Sequence, residues 1–98
     1  MIPAPEPDPQ SPTWPFVLQF AKHMEAKLAK NRHKGDRSGW LKDSSKALFE
    51  RLEDETMELE DELYISYGTV ESITSECADV ANFAMMVADR VSTDTHNV

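Results

Sequence analysis

Apolar residues recur at three- and four-residue spacing in three stretches of the chain, which is typical of helices that bury one face. The pattern predicts helices over about residues 16–31, 44–67 and 70–91. No stretch of the chain has a pattern that predicts a β-strand. The sequence therefore predicts an all-α fold.

Residues with known capping preferences stand at the ends of the predicted helices. Pro15 suits a first helical turn, because an N–H at that position would have no intrahelical partner and proline lacks one. Asp43 or Ser44 is a suitable N-cap for the second helix. Gly68 is expected to end that helix, and Thr69 is expected to cap the third.

Both ends of the chain lack the helical pattern. All six prolines lie in residues 1–15, which predicts a disordered arm or, as the alternative, an extended recognition peptide. Residues 92–98 are predicted to be a polar tail. Residues 16–91 then form one helical domain, whose small size favours oligomerisation because a short chain buries a small core.

Charge and cysteine content narrow the functional classes. A net charge of −8 argues against a general nucleic-acid binder, because phosphates require a cationic surface. Cys77 is the one cysteine, so no intramolecular disulfide can form, and a reducing compartment is expected. No apolar run approaches the ~20 residues of a membrane span, and no secretory signal pattern is present. We predict a cytoplasmic protein, located in the host cytoplasm if it is viral.

The second and third predicted helices each carry a pair of acids in the same phase relative to an apolar stripe. The pairs are Glu55 with Glu58 and Glu76 with Asp79. In both helices an apolar residue lies three positions before the first acid, and another directly follows the second acid. These acids should therefore border the core, where a carboxylate is costly unless it is paired or binds a metal. We predict that the four carboxylates converge on divalent cations.

The oxygen-only ligand set favours Mg²⁺, with Mn²⁺ as its substitute. A triphosphate could complete the coordination from the open side, with an activated water as nucleophile. Other metal sites are disfavoured by the sequence. It has no Glu-x-x-His pair for a di-iron bundle, no His or Cys clustered with Cys77 for zinc, and no EF-hand spacing.

Residues 31–40, between the first two helices, concentrate positive charge in an otherwise acidic chain. Arg32, His33, Lys34 and Arg37 are accompanied there by two glycines and Trp40. A polyphosphate bridged to metals requires such cationic partners on its far side. The alternative is a solvated basic turn.

The two acid pairs resemble the motif of a known family. Glu55-x-x-Glu58 followed by Glu76-x-x-Asp79 is similar to the motif of the MazG-like, all-α nucleoside triphosphate pyrophosphohydrolases. That superfamily includes dimeric dUTPases, dCTP pyrophosphatases and phosphoribosyl-ATP pyrophosphohydrolases. The run from Asp79 to Phe83 also resembles the family sequence after its last acid.

The loop that contains Lys34-Gly35 and Gly39-Trp40 resembles the small phage and bacterial MazG-like proteins in particular. The resemblance covers about residues 16–91. It implies an antiparallel helical bundle completed by oligomerisation, as a homodimer or homotetramer. It also implies Mg²⁺-dependent cleavage of an NTP or dNTP to the monophosphate and pyrophosphate, for nucleotide-pool control, possible substrates being dGTP, dUTP and dCTP.

The resemblance assigns roles to individual residues. It implies that the metal ligands are Glu55, Glu58, Glu76 and Asp79. Glu55 or Glu58 would activate the attacking water, and both remain candidates. Glu62 is either an accessory ligand or part of a surface salt bridge.

Substrate contacts follow from the same resemblance. Asn82 would reach the sugar or a phosphate, while Lys34 and Arg37 would bind the phosphate tail. Trp40 would stack on the base or close the pocket. The first helix would supply the base pocket through either Phe20 or His23, with core packing as the alternative role of Phe20.

Two other functional classes are compatible with an acidic helical chain. One is a non-catalytic protein-interaction module, in which the acids form a docking face for a basic partner. The other is a family member that binds nucleotide without cleaving it. A docking face requires outward acids, so the burial of the four carboxylates distinguishes an interaction module from a metal centre.

Overall fold

The structure, a computed structural model, describes residues 1–96 of the 98. Four α-helices occur in this range: α1 (Trp14–Lys30), α2 (Arg37–Trp40), α3 (Ser45–Tyr64) and α4 (Val70–His96). A 3₁₀ turn, Arg32–Lys34, lies between α1 and α2. Residues 1–96 contain no β-strand, and the predicted all-α fold is confirmed.

Helix α4 is the centre of the fold: α3 packs antiparallel against it, and α1 packs against it as well. At one end of the α3–α4 hairpin, Arg90 Nε donates to the Asp43 carbonyl at 2.9 Å. At the other end, Ser72 Oγ donates to Glu62 Oε2 at 2.8 Å. Helix α1 is joined to the middle of α4, where Asn82 Nδ2 donates to the Met24 carbonyl at 3.0 Å.

The helix starts agree closely with the sequence analysis. Helix α1 begins at Trp14 with Pro15 in its first turn, two residues before the predicted start. Ser44 is the N-cap of α3, and its hydroxyl accepts from the Ala47 N–H at 3.0 Å. Thr69 caps α4, with its hydroxyl accepting from the Ser72 N–H at 3.1 Å. At α3 and α4, a hydroxyl thus satisfies one of the N–H groups that a helix start leaves without an intrahelical partner.

The C-terminal end of α3 differs from the prediction. The helix ends at Tyr64 rather than near residue 67, and Tyr67 rather than Gly68 has a positive φ, of 49°. Gly68 has a different role, because a Cβ at this position would overlap the Glu62 carboxylate. The Gly68 N–H donates to the Glu62 carbonyl at 2.7 Å, which closes the turn.

Helix α4 continues through His96, so the predicted polar tail is helical up to that residue. Positions 97 and 98 of the predicted tail lie outside the described residues. Residues 92–98 include no glycine or proline that would stop the helix. Thr93 Oγ1 donates to the Asp89 carbonyl at 3.0 Å, and Arg90 pairs with Asp94 across one turn. Local polar contacts therefore extend α4 beyond the end that the apolar pattern predicted.

Residues 1–13 form no helix or strand. A turn is closed by the Ser11 N–H, which donates to the Asp8 carbonyl at 2.9 Å. The Met1 ammonium lies 3.6 Å from Asp89 Oδ1 on α4. The predicted disorder of this arm stays a prediction.

The apolar core within the described chain is small. Leu48 and Ala78 are its fully buried apolar side chains. Many large apolar side chains are exposed, including Phe49, Met57 and Tyr64 on α3 and Ile65, Tyr67 and Val70 around the α3–α4 turn. Apolar exposure on this scale is typical of surfaces that are covered by a partner. Within residues 1–96, no helix has the length and apolar character needed to cross a membrane.

Candidate metal centre and adjoining cavity

Three of the four predicted ligands converge where α3 crosses the middle of α4. Glu55 from α3 and Glu76 and Asp79 from α4 each contribute a carboxylate oxygen to a group whose atoms all lie within 4.8 Å of one another. The antiparallel hairpin brings residue 55 opposite residues 76–79, and the three-residue spacing places both α4 acids on the face toward α3. We refer to Glu55, Glu76 and Asp79 as the acidic triad.

Two oxygens of the acidic triad have no hydrogen-bond partner within residues 1–96. They are Glu55 Oε2 and Glu76 Oε2, and both are buried. Burial, followed by a hydrogen bond and repulsion from Glu58, raises the pKa of Glu55 to about 7. Burial and the Asp79 charge also raise the pKa of Glu76. Buried carboxylates without partners are costly, and a bound cation would remove that cost.

Glu58, the fourth predicted ligand, is exposed and lies outside the acidic triad. One helical turn beyond Glu55, it lies farther around α3, at the solvent side of the cluster. Its charge nevertheless raises the pKa of both Glu55 and Glu76, so it belongs to the same electrostatic site. The expectation that all four acids border the core holds for three of them and is wrong for Glu58, whose role as a ligand stays a prediction.

Lys27 of α1 partly neutralises the acidic triad. Its Nζ lies 3.2 Å from Asp79 Oδ2, and both side chains are mostly buried. The sequence analysis did not single out this residue. A signal was present, because Lys27 follows Met24 by three positions and so borders the apolar stripe of α1, as the acids border theirs. Its pairing with Asp79 depends on how α1 packs against α4.

A cavity of about 340 Å³ adjoins the acidic triad. Two triad members and side chains of opposite charge or aromatic character line it: Glu55, Asp79, Lys27, Lys34, Arg51, Trp40, Phe83 and Asn82. The lining therefore carries both carboxylates and cations, since Asp43 lines the cavity as well. Such a cavity complements a divalent metal together with a polyanion, because each charged component meets the opposite charge.

The predicted substrate residues fall into three groups. Lys34, Trp40 and Asn82 line the cavity beside the acidic triad. His23 lines a second cavity, of about 380 Å³, between α1 and the start of α4. Phe20 is half-buried and lines neither of these two cavities.

Arg37 has a different partner from the one predicted. Its Nε donates to Asp89 Oδ2 at 2.8 Å and its Nη2 donates to Asp89 Oδ1 at 2.9 Å. The side chain does not line the cavity beside the acidic triad. A guanidinium has five N–H donors and this pair uses two of them, so the predicted contact of Arg37 with a phosphate stays a prediction.

Asn82 is held with its oxygen unpaired. The side chain is 3 % exposed, and its Nδ2 is occupied by the Met24 carbonyl at 3.0 Å. Its Oδ1 has no hydrogen-bond partner within residues 1–96. An amide oxygen can only accept, so this atom can bind a hydroxyl but not a phosphate oxygen.

Glu62 is also engaged elsewhere. Its Oε2 accepts from Ser72 Oγ at 2.8 Å, and it lies outside the acidic triad. This contact ties the end of α3 to the start of α4. It favours a structural role over that of an accessory ligand.

Two further residues at the site were missed by the sequence analysis. The guanidinium of Arg51 lies 5.0 Å from the centroid of the Phe83 ring, and its Nη2 lies 3.8 Å from Glu55 Oε1. Asp89 is 4 % exposed and binds both Arg37 and the Trp40 indole. Hydrogen bonds from Arg37, followed by that from Trp40, hold the pKa of Asp89 well below its usual range.

The site thus combines an acidic triad that has two buried, unpaired oxygens, a cavity lined by both acidic and basic side chains, and an aromatic side chain in that lining. Glu55, Glu76 and Asp79 offer the hard oxygen donors that Mg²⁺ and Mn²⁺ take. No match to this chain was found among protein-family models, curated proteins or solved structures.

Proposed function

We propose that this protein is a metal-dependent nucleoside triphosphate pyrophosphohydrolase of the MazG-like type. It adds water across the α–β phosphoanhydride of an NTP or dNTP and releases the monophosphate and pyrophosphate. The observation that carries the proposal is the acidic triad, whose buried, unpaired oxygens adjoin a cavity lined by both acidic and basic side chains. Neither feature has a use in a fold stabilised by packing alone.

Mg²⁺, or Mn²⁺ in its place, is the proposed cofactor, held by Glu55, Glu76 and Asp79. The unpaired Glu55 and Glu76 oxygens fit a hard cation, and phosphate oxygens and water would fill its remaining positions. When bound, the ion would supply charge neutralisation for the phosphates and activation of water. Glu58 joins the ligand set if its side chain turns inward.

Glu55 and Glu58 are both candidates for the group that accepts the proton of the attacking water. Glu55 has a pKa of about 7, which suits proton transfer near neutral pH. Glu58 is exposed beside it and is free of the triad, so it can act while the triad holds metal. A residue that acts only as base can be removed without loss of metal binding, which distinguishes the two roles.

The remaining groups of the cavity bind the substrate. Lys27, Lys34 and Arg51, which line the cavity, would contact the phosphates. The Asn82 Oδ1 acceptor is suited to a sugar hydroxyl rather than a phosphate. Trp40 offers an aromatic face to the base.

The exposed apolar side chains of α3 and of the α3–α4 turn support a homodimer or homotetramer, in which a second copy covers them. Sedimentation at micromolar concentration should show no monomer. A monomer at that concentration would contradict the assembly. The reaction itself suits control of a cytoplasmic nucleotide pool.

The deciding experiment is incubation with each NTP and dNTP, including dGTP, dUTP and dCTP, with Mg²⁺, with Mn²⁺ or with chelator. We expect a monophosphate and pyrophosphate from a preferred base, and no product with chelator. Diphosphate and orthophosphate would mean a different reaction. No turnover with any base, together with no stabilisation by metal, would favour the acidic interaction module instead.

A further inference from the structure

The Asp89 carboxylate accepts three side-chain hydrogen bonds from the segment that forms one wall of the cavity. Arg37 binds both of its carboxylate oxygens, at 2.8 and 2.9 Å. The Trp40 indole N–H donates to Oδ2 at 3.0 Å. Asp89 is itself almost fully buried, whereas the Arg37 side chain is 57 % exposed. We therefore take the buried carboxylate as the fixed group, which holds the more exposed segment in position.

The segment in question is residues 34–40, which we refer to as the cavity wall. Lys34, Gly35, Gly39 and Trp40 all line the cavity beside the acidic triad. Its backbone takes a tight path, since Gly35 has φ 107° and a Cβ there would lie 3.1 Å from the Gly39 Cα. Helix α2, a single turn, is too short to hold its own position through helical hydrogen bonds.

We infer that Asp89 is a positioning residue for nucleotide binding: through Arg37 and Trp40 it holds the cavity wall in the substrate-binding arrangement. This inference rests on the proposed function. Charge-assisted, bidentate hydrogen bonds are strong and directional, so they order the wall before the substrate arrives. The substrate then binds without meeting the entropic cost of ordering Lys34 and Trp40.

The test is Asp89→Asn in the full chain, with Asp94→Asn as the matched control. Both changes remove one carboxylate from α4, but Asp94 is exposed and bonds to Arg90 rather than to the cavity wall. For the preferred triphosphate, we expect Asp89→Asn to raise KM about tenfold with kcat within about twofold of wild type. Asp94→Asn should leave both unchanged.

A double-mutant cycle tests whether Asp89 acts through Trp40. Trp40→Phe keeps an aromatic ring but removes the indole N–H. The two changes should be non-additive, so that Asp89→Asn raises KM about tenfold in wild type but by a smaller factor in Trp40→Phe, where the Arg37 contacts remain. Additive changes in KM would overturn this route of action.

Tryptophan fluorescence reports the position of the wall without catalysis. In a Trp14→Phe background, where Trp40 is the remaining tryptophan, Asp89→Asn should raise acrylamide quenching about twofold, because a released indole becomes exposed. A merely structural Asp89 would lower the melting temperature and the active fraction, with KM and Trp40 quenching unchanged in the folded protein. That result would overturn the inference.

Arg37→Gln provides the second test should Asp89→Asn fail to fold, because the Arg37 side chain is mostly exposed. It should raise both KM and Trp40 quenching; a rise in KM alone would show a direct phosphate contact and overturn the inference. Hydrolysis by the wild type with an unchanged KM in both variants would overturn the inference and leave the proposed function standing. Absence of hydrolysis by the wild type would overturn the proposed function, and the inference with it.

Discussion

Helix α4 carries two buried acidic sites ten residues apart that have opposite electrostatics. Asp89 is paired with Arg37 and Trp40, and its pKa lies well below the usual range. The acidic triad has Lys27 as its close cation and two unpaired oxygens, and the pKa of Glu55 is raised to about 7. Asp89 is the more buried of the two, yet it is the one whose pKa is lowered, so burial alone does not explain the difference.

The two sites differ in whether the protein itself supplies partners for the buried carboxylate oxygens. The Asp89 site is complete in this sense, and the acidic triad is incomplete. At Asp89 the protein supplies every hydrogen bond that the carboxylate needs, which is how a fold uses a buried charge for structure. At the acidic triad, like charges are brought together and left short of partners, which destabilises the fold in the absence of a ligand. Buried groups with perturbed pKa values concentrate at functional sites, which supports the metal centre proposed here.

The largest expected effect is loss of hydrolysis when the incomplete site is altered. Asp79→Asn and Glu58→Gln should each lower kcat/KM at least about 100-fold, with the helical circular dichroism unchanged. Glu53→Gln, at an exposed acid of α3, is the control and should retain activity. If Glu58 is the base, Glu58→Gln should bind Mg²⁺ normally, whereas Asp79→Asn should not. Substantial turnover by Asp79→Asn would contradict the metal assignment.

The second effect is the pH dependence of stability without metal. Because the pKa of Glu55 is about 7 in the folded chain and lower when unfolded, the folded chain holds more protons between these values. Its free energy of unfolding should therefore fall as pH rises, by on the order of 2–3 kcal/mol from about pH 5 to about pH 8. Urea denaturation with chelator measures this fall.

Mg²⁺ should remove most of that fall, because the bound cation stabilises the ionised triad. Glu55→Gln should also flatten the profile, since the titrating carboxyl is gone. A wild-type profile that stays flat in chelator would show that the triad carries no electrostatic strain.

The third effect is loss of stability at the completed site. Asp89→Asn should lower the free energy of unfolding by about 1–3 kcal/mol near neutral pH, because Arg37 and Trp40 lose a charged acceptor. The pKa of Asp89 is depressed in the folded chain, so its contribution is present above the ordinary Asp pKa and is lost in acid. The deficit of the variant should accordingly shrink as pH falls below about 4. A deficit independent of pH would point to packing instead.

The smallest expected effect concerns Lys27. Its ammonium already neutralises part of the Asp79 charge that would otherwise attract a metal ion. Lys27→Gln should tighten Mg²⁺ binding a few-fold in titration calorimetry, because a repelling positive charge is removed. Lys22→Gln, at an exposed position of α1, is the matched control. Weaker metal binding in Lys27→Gln would indicate that the lysine organises the triad rather than competing at it.

The helices could largely be predicted from the sequence because their determinants are local. Apolar spacing predicted the three long helices, and Ser44 and Thr69 cap α3 and α4 as expected. The ends of α3 and α4 were predicted less well. They depend on contacts such as Glu62 with Ser72 and Arg90 with Asp94, which an apolar pattern does not encode.

Part of the site was also present in the sequence. The spacing of Glu55, Glu76 and Asp79 beside apolar stripes predicted that these acids face the core, because helical periodicity fixes which residues share a face. Glu58 satisfies the same spacing and is nevertheless exposed. A helical face predicts a direction, but how far the neighbouring helix extends over that face decides burial.

Only the tertiary structure decided which charged side chains form ion pairs. Lys27 with Asp79 and Arg37 with Asp89 join residues 52 positions apart, and nothing in local spacing selects one partner over another. The packing of α1 and α2 on α4 determines these pairs, and hence which carboxylate is completed and which is left open. By itself the sequence determined the helices and the faces of their acids, because those follow from neighbours along the chain. The balance of charge at each site follows from neighbours in space.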